Sequence, residues 1–278
     1  MHDGFLQPGV VIGDGYRIEA FIRRSGVGEV WAARHVKFED RRFAIKVLRP
    51  RILGKQTSGF DEEAQFCKAI RHRGIVDIIQ WGRLDGIFPY VIMEYLEGEN
   101  LEDVMERDGA MPVHRVLGLA DGILDVLSAV HKAGVVHCDL KPSNLFIARQ
   151  RDGTECIKLL DFSQARRIED SHHGELVGTP EYMAPEQAEG LASTPRSDIY
   201  TLGVLLFEML AGRFPFNTKS TLGLIRARVF IDALDIRGCA ENIPDALAEL
   251  LAAMLKRLPE ERPQSADEVK QRLRWVFQ

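Results

Sequence analysis

The segment that most constrains this 278-residue chain runs from Val135 to Phe146, where several chemically active side chains stand between two apolar runs. Pro142 fits neither a helix interior nor a central strand, so the middle of the segment is predicted to be a tight turn. Three side chains project from that turn. Asp139 is a candidate base, Lys141 a fixed positive charge, and Asn144 a neutral oxygen ligand for a hard cation.

Composition and charge narrow the class of protein. A net charge of −5 gives no general attraction to nucleic acid or to anionic membranes. The first residues lack the layout of a signal peptide, and every long apolar run is broken by a charge before it could span a bilayer. The four cysteines are scattered without a Cys-x-x-Cys pair, which argues against a zinc site or a disulfide framework. We therefore expect a cytoplasmic protein with no membrane segment and no nucleic-acid partner.

Hydrophobic periodicity predicts a β-rich first part and a helical remainder. Segments 16–22 and 29–35 have the composition of strands and flank a Gly-containing turn, which predicts a hairpin. Farther along, apolar residues recur with a period of 3.6 between Pro112 and Gly134, which predicts a long helix. The stretch 197–210 is apolar nearly all round, so a helix there should be buried.

A lysine stands within a strand-like run at 43–48. Period-two alternation places Ala44 and Lys46 on one face of that strand. An inward-facing lysine needs a charged partner, because burying an unpaired ammonium group is costly. Glu63 has apolar neighbours at helical spacing in the segment that follows, so it is the predicted partner of Lys46.

The segment from His137 to Asn144 resembles the catalytic loop of protein kinases, whose pattern is His-Arg-Asp-Leu-x-x-x-Asn. Every position matches except Cys138, where the family usually has Arg. Asp161-Phe162-Ser163 is similar to the family's Asp-Phe-Gly motif, and 178–186 to its peptide-substrate platform with the Ala-Pro-Glu ending. The resemblance extends from about residue 8 to about residue 275 and is closest to bacterial Hanks-type Ser/Thr protein kinases.

The resemblance implies an α+β, bilobal protein kinase fold, with a small β-rich N-lobe at 1–95, a larger helical C-lobe at 96–278, and an ATP cleft between them. It implies ATP and Mg²⁺ as cofactors, protein Ser or Thr hydroxyls as substrates, and autophosphorylation. A dimer through the N-lobe is an assembly that the family resemblance suggests. The implied nucleotide-binding residues are Ile22, Gly26, Gly28, Val30, Ala44, Lys46, Met93, Glu94, Leu96 and Phe146.

The resemblance also implies roles for the reacting groups. Asp139 would accept or orient the proton of the substrate hydroxyl, and Lys141 would stabilise charge on the γ-phosphate. Asn144 and Asp161 would hold Mg²⁺. The other implied catalytic residues are Lys46 on the α- and β-phosphates, Glu63 orienting it, and Thr179 beside the catalytic aspartate and lysine.

Two long-range contacts follow from the same resemblance. Glu186, at the end of the platform, should pair with Arg262. Asp198, at the start of the predicted buried helix, should tie down the backbone of the catalytic loop.

The chain departs from the family pattern at four positions. Arg23 and Ser25 stand where the first two glycines of the phosphate loop should be, so only Gly28 of the three is kept. Ser163 replaces the glycine of Asp-Phe-Gly, and Cys138 replaces the arginine of the catalytic loop. These departures favour an alternative function, a pseudokinase or nucleotide-binding scaffold. The retained residues weigh more and favour an active kinase: Lys46, Glu63, Asp139, Asn144 and Asp161. A kinase of small molecules is a third alternative, which the peptide platform disfavours.

The cysteine in the catalytic loop carries its own prediction. Cys138 cannot pair with a phosphate on the activation loop, so we expect activity that does not depend on phosphorylation of Ser171 or Thr179. Its side chain is interpreted as a small buried hydrophobe, with a redox-sensitive thiol as the alternative.

Overall fold

A computed structural model describes residues 6–24, 28–48, 66–170, 178–218 and 220–276. The chain divides into two compact units, the first comprising Met1–Arg71 with Val76–Glu97 and the second His72–Ile75 with Gly98–Gln278. The first unit is built on a β-sheet and the second is mainly helical. The predicted α+β class is therefore confirmed.

The first unit contains a six-stranded antiparallel sheet with the order β1-β2-β3-β4-β6-β5. The hairpin predicted from segments 16–22 and 29–35 is confirmed as the pair β2–β3. The strands are β1 (Val11–Ile12), β2 (Tyr16–Arg24), β3 (Gly28–His35), β4 (Phe38–Leu48), β5 (Ile78–Leu84) and β6 (Phe88–Glu94).

One face of this sheet carries the core of the first unit. Ile45 and Val47 of β4 are completely buried, and they pack in one cluster with Trp31 of β3. Because side chains alternate along a strand, Ala44 and Lys46 belong to the opposite face. The predicted division of β4 between its two faces is therefore confirmed.

The second unit is organised around two buried helices. The predicted long helix spans Val113–Lys132, and Gly134 follows it in a left-handed conformation with φ of 75°. The predicted buried helix spans Pro195–Ala211 and ends at Gly212, also left-handed. The helices are α1 (Leu101–Asp108), α2 (Val113–Lys132), α3 (Pro185–Ala188), α4 (Pro195–Ala211), α5 (Thr221–Phe230), α6 (Asp245–Met254) and α7 (Ala266–Trp275).

Short strands form the two ends of the segment from Val135 to Phe146. A three-stranded sheet has the order β10-β9-β7, and a two-stranded sheet pairs β11 with β8. Among the described helices, none has the length and apolar character that crossing a bilayer requires. The strands are β7 (Gly98–Asn100), β8 (Val135–Val136), β9 (Leu145–Arg149), β10 (Glu155–Leu159) and β11 (Arg166–Arg167).

Candidate active site

The loop between β8 and β9 is held by a buried carboxylate. The backbone N–H groups of His137 and Cys138 donate to the two oxygens of Asp198, each at 2.9 Å. His131 Nε2 lies 2.8 Å from the same carboxylate. Burial by itself would raise the pKa of Asp198, but the hydrogen bond with His131 and the nearby histidine charges lower that pKa overall. The predicted anchoring of the loop by Asp198 is confirmed.

The backbone turns sharply at Cys138, whose φ is 66°. This left-handed conformation is unusual for a residue with a side chain. The Cys138 carbonyl accepts a hydrogen bond of 3.0 Å from Gln187 Nε2. It also lies against Gly178, where an added Cβ would be only 2.8 Å from the carbonyl oxygen. Gly178 therefore permits the segment before α3 to approach the loop closely.

Three side chains meet at the centre of the loop. The Thr179 hydroxyl donates to Asp139 Oδ1 at 2.5 Å, and Lys141 Nζ donates to the same hydroxyl at 2.7 Å. Lys141 Nζ is also 2.7 Å from Asp139 Oδ2. The predicted placement of Thr179 beside Asp139 and Lys141 is confirmed. The arrangement can hold a hydroxyl between a carboxylate that accepts its proton and a cation that stabilises negative charge.

Two residues predicted to bind a cation follow one another closely around the β9–β10 hairpin. Asn144 immediately precedes β9, and the Leu160 N–H after β10 donates to the Asn144 carbonyl at 2.9 Å, which places Asp161 beside it. The Asn144 amide nitrogen donates to the Asp139 carbonyl at 2.8 Å, so the amide oxygen is the atom that could meet a cation. One carboxylate with one amide oxygen suits Mg²⁺, which usually keeps water or phosphate in its other positions.

The residue after Asp161 fixes this segment to the catalytic loop. Phe162 is buried and packs edge-on against His137, with ring centroids 5.2 Å apart. His137 Nε2 lies 2.7 Å from the Asp161 carbonyl oxygen. Both ends of the candidate metal site are therefore supported by packed neighbours.

The sequence that forms this site is similar to those of known proteins. The model of the protein kinase domain family matches residues 16–275. The chain belongs to this family. The prediction that the chain belongs to the bacterial Ser/Thr branch of the family is confirmed by its similarity to bacterial Ser/Thr protein kinases.

Three bacterial protein kinases illustrate the similarity. This kinase domain is 31% identical over 272 residues to the serine/threonine-protein kinase pkn3 of Myxococcus xanthus, covering 94% of this chain and 50% of pkn3. It is 34% identical over 275 residues to pkn2 of the same organism, covering 95% of this chain and 33% of pkn2. It is 32% identical over 252 residues to PknL of Mycobacterium tuberculosis, covering 89% of this chain and 62% of PknL. The kinase domain thus spans between 33% and 62% of the length of these relatives.

Residues predicted to bind the nucleotide lie partly on the sheet of the first unit of the kinase domain. Ala44 pairs with Met93 and Lys46 with Val30, so these four share the face opposite the core. The structure places Ile22 exposed on β2, Gly28 at the start of β3, Glu94 at the end of β6, Leu96 half-buried after β6, and Phe146 half-buried on β9 of the second unit. Gly26 and Glu63 lie outside the described residues, so the predicted partner of Lys46 is not described.

Gly28, the one glycine of the family's phosphate-loop pattern that this chain retains, is required by the close packing of β3 against β4. A Cβ added to Gly28 would lie 2.1 Å from the Val47 carbonyl oxygen, closer than any real contact allows. Gly28 is paired with Leu48 on the adjacent strand. Any side chain at this position would push β3 and β4 apart.

The predicted pairing of Glu186 with Arg262 is confirmed. Arg262 donates to both carboxylate oxygens of Glu186, at 2.7 and 2.8 Å, and both side chains are buried. Ser197 adds a third hydrogen bond to Glu186 at 2.6 Å. Arg262 also donates to three backbone carbonyls, those of Arg196, Lys256 and Arg257. The pair is therefore fully hydrogen-bonded, as a buried ion pair must be.

Sequence reasoning missed the residues that hydrogen-bond to segment 178–186, the predicted peptide platform. Arg228 of α5 is buried, and its guanidinium donates to the carbonyls of Pro180 and Glu181. Tyr182 donates through its hydroxyl to Glu208 at 2.6 Å. Charged residues flanked by apolar ones in a helix, such as Arg228 and Glu208, were the available signal, because such charges are buried only when they have partners.

The kinase domain has a cysteine that should resist alkylation. Cys138 is 3% exposed, and burial, with the Asp198 charge adding to it, raises the pKa of its thiol far above the ordinary range. At pH 8 it should stay a protonated, unreactive thiol. We expect an alkylating reagent to label the half-buried Cys156 and Cys239 in the native protein. Cys138 should be labelled only after unfolding, as measured by mass spectrometry of peptides.

The same measurement contains its own control. In denatured protein the reagent should label Cys156, Cys239 and Cys138 alike. Labelling of Cys138 there shows that the peptide containing it can be detected. Rapid native labelling of Cys138 would support the redox-sensitive alternative instead.

Proposed function

We propose that this kinase domain transfers the γ-phosphate of ATP to Ser or Thr hydroxyls of protein substrates and of its own chain. The observation that carries the proposal is that Asp139 and Lys141 lie together and both bond one hydroxyl group, that of Thr179. A carboxylate that bonds a hydroxyl at 2.5 Å is positioned to take its proton. A cation at the same point can stabilise the charge that develops on phosphate oxygens.

In the proposed reaction, Asp139 accepts the proton of the substrate hydroxyl. Thr179, bonded to both Asp139 and Lys141, holds these two side chains in position. Asn144 orients Asp139 through its bond to the Asp139 backbone carbonyl. Mg²⁺, held by Asn144 and Asp161, would neutralise part of the phosphate charge. Lys141 supplies a positive charge beside the transferred group.

The first unit would bind the rest of the nucleotide. We propose that Lys46 holds the α- and β-phosphates, oriented by Glu63. Ala44, Val30 and Met93 share its side of the sheet and would contact the base and ribose. The remaining proposed contacts are those of Ile22, Gly26, Gly28 and Phe146 and the backbone groups of Glu94 and Leu96.

We further propose lobe limits of 1–95 and 96–278. A dimer through the first of these lobes stays a prediction. A scaffold that binds nucleotide without transfer is the second candidate function, because a bulky Arg23 stands in β2 where the family has glycine.

The proposed function is tested by incubating the purified chain with ATP labelled at the γ-position, Mg²⁺ and a generic protein substrate. Label on Ser or Thr with the wild-type chain, and none with a Lys46→Met variant that still folds, is the expected result. Binding of ATP without any transfer, even to the chain itself, would favour the scaffold.

Activity should persist after phosphatase treatment. Position 138 carries a buried cysteine where the family has an arginine that pairs with loop phosphate, so the site is not held by such a pair. The catalytic loop is instead fixed by Asp198 and by the bond of Gln187 to the Cys138 carbonyl. We expect the initial rate of a phosphatase-treated sample to stay within about twofold of an untreated one, since no charge-assisted contact is lost.

A matched variant separates the alternatives. Ser171→Ala removes a candidate loop phosphosite without touching Thr179. Loss of activity on dephosphorylation, restored by rephosphorylation in wild type but not in Ser171→Ala, would contradict the prediction.

A further inference from the structure

A bulge in β2 places two residues opposite one residue of β3. Phe21 pairs with Trp31 and Arg23 pairs with Val30, so two steps along β2 match one step along β3. Ile22 and Arg23 therefore both oppose Val30. Without this extra residue, Arg23 would face the other side of the sheet.

The register carries Arg23 into line with Lys46. Val30 is paired with Arg23 on one side and with Lys46 on the other. Residues directly opposite each other in antiparallel strands have side chains on the same face. With strands about 4.8 Å apart, the backbones of Arg23 and Lys46 are about 10 Å apart. Two cationic side chains thus share the face opposite the core, and both are half-buried.

The next residue, Arg24, lies on the core face of the sheet. Arg24 is bonded to Glu29 at 2.9 Å, and Trp31 donates to the second oxygen of Glu29 at 3.2 Å. Glu29 is completely buried, and Trp31 belongs to the core cluster. The Arg24 charge therefore stabilises a buried carboxylate on the core face. Arg23 and Arg24 therefore lie on opposite faces of the sheet.

We propose that Arg23 binds the phosphate groups of the nucleotide, as a second cation on the face that carries Lys46. The inference rests on the proposed function, because it assumes that this face receives ATP. An arginine can donate two parallel hydrogen bonds to a phosphate, and such bonds are about twice as strong as neutral ones. In this proposal the Arg23 side chain contacts the phosphate groups, whereas a glycine at this position allows the backbone to contact them.

The contact should be specific for phosphate. Removing Arg23 should weaken the binding of a charged nucleotide and leave the binding of an uncharged nucleoside unchanged. Hydrogen bonds to charged groups correspond to roughly 10- to 100-fold in affinity. Adenosine has the base and ribose of ATP but no phosphate, so comparing the two ligands isolates the contribution of the phosphates.

The test is calorimetric titration of the full chain with ATP and Mg²⁺, and separately with adenosine. We expect Arg23→Ala to raise the Kd for ATP at least tenfold at low salt and to leave the Kd for adenosine within twofold. Arg23→Lys should recover part of the affinity, since it keeps the charge but not the paired donors. Arg24→Gln is the matched control: it removes a charge one residue away on the core face and should leave both affinities unchanged.

Several results would overturn the inference. Equal losses for ATP and adenosine would show a structural role for Arg23, as would equal effects of Arg23→Ala and Arg24→Gln. Unchanged or tighter ATP binding by Arg23→Gly would show that the backbone alone meets the phosphates.

The two proposals fail in different ways. A wild-type chain that transfers phosphate, with an Arg23→Ala variant of unchanged ATP affinity, rejects only the role of Arg23. An Arg23-dependent ATP affinity in a chain that transfers nothing rejects only the proposed catalysis. A wild-type chain that binds no ATP rejects both.

Discussion

Replacing Asp139 with Asn should lower the rate of phosphate transfer by about 10²- to 10⁴-fold, the usual contribution of a positioned base. Asp139 accepts a hydrogen bond from the Thr179 hydroxyl at 2.5 Å, and an amide in place of this carboxylate could not take a proton from a substrate. The carboxylate also bonds Lys141 at 2.7 Å, so the substitution removes a charge without removing much volume. The defect should appear in kcat and not in the affinity for ATP.

The Asn variant keeps the shorter of the two hydrogen bonds that Asn144 makes to this residue, at 2.8 and 3.3 Å. Asn144 bonds the backbone carbonyl of Asp139, which the substitution does not alter. Initial rates and ATP titrations on Asp139→Asn should therefore show a catalytic loss with nucleotide binding near wild type. Asp152→Asn, at an exposed turn between β9 and β10, is the matched control and should have full activity. Wild-type rates in Asp139→Asn would remove the basis of the proposed mechanism.

Replacing Arg262 with Met should cost about 3–5 kcal/mol of stability, the range for breaking a buried ion pair. The side chain of Arg262 is 0% exposed and that of Glu186 6% exposed, so the remaining carboxylate would stay buried without its countercharge. Three backbone carbonyls would lose a donor as well. Urea denaturation followed by circular dichroism measures the change in the free energy of unfolding.

A double variant separates charge burial from packing. Arg262→Met with Glu186→Leu removes both charges and should recover part of the loss, because apolar pairs often replace buried ion pairs at little cost. Arg107→Met breaks an exposed pair with Glu99 and should change stability little. Equal effects of Arg262→Met and Arg107→Met would show that the buried pair contributes no more than a surface one.

The sequence was sufficient for features that depend on neighbouring residues or on fixed motif order. Period-two alternation placed Lys46 on the face opposite Ile45, and helical periodicity predicted α2. The motif order placed Thr179 beside Asp139 and paired Glu186 with Arg262, contacts that span 40 and 76 residues. These contacts were predictable because the resemblance supplied long-range information that periodicity does not contain.

Only the tertiary structure decided which way Arg23 faces and what supports the platform. A single extra residue at Ile22 changes the side of the sheet that the following residue meets, and nothing in alternation reveals a bulge. The bonds of Arg228 to the backbone of Pro180 and Glu181 join residues 48 and 47 positions apart. Backbone carbonyls carry no sequence signature, because every residue has one. Whether a buried arginine finds its acceptors there is fixed by packing, which brings the elements together.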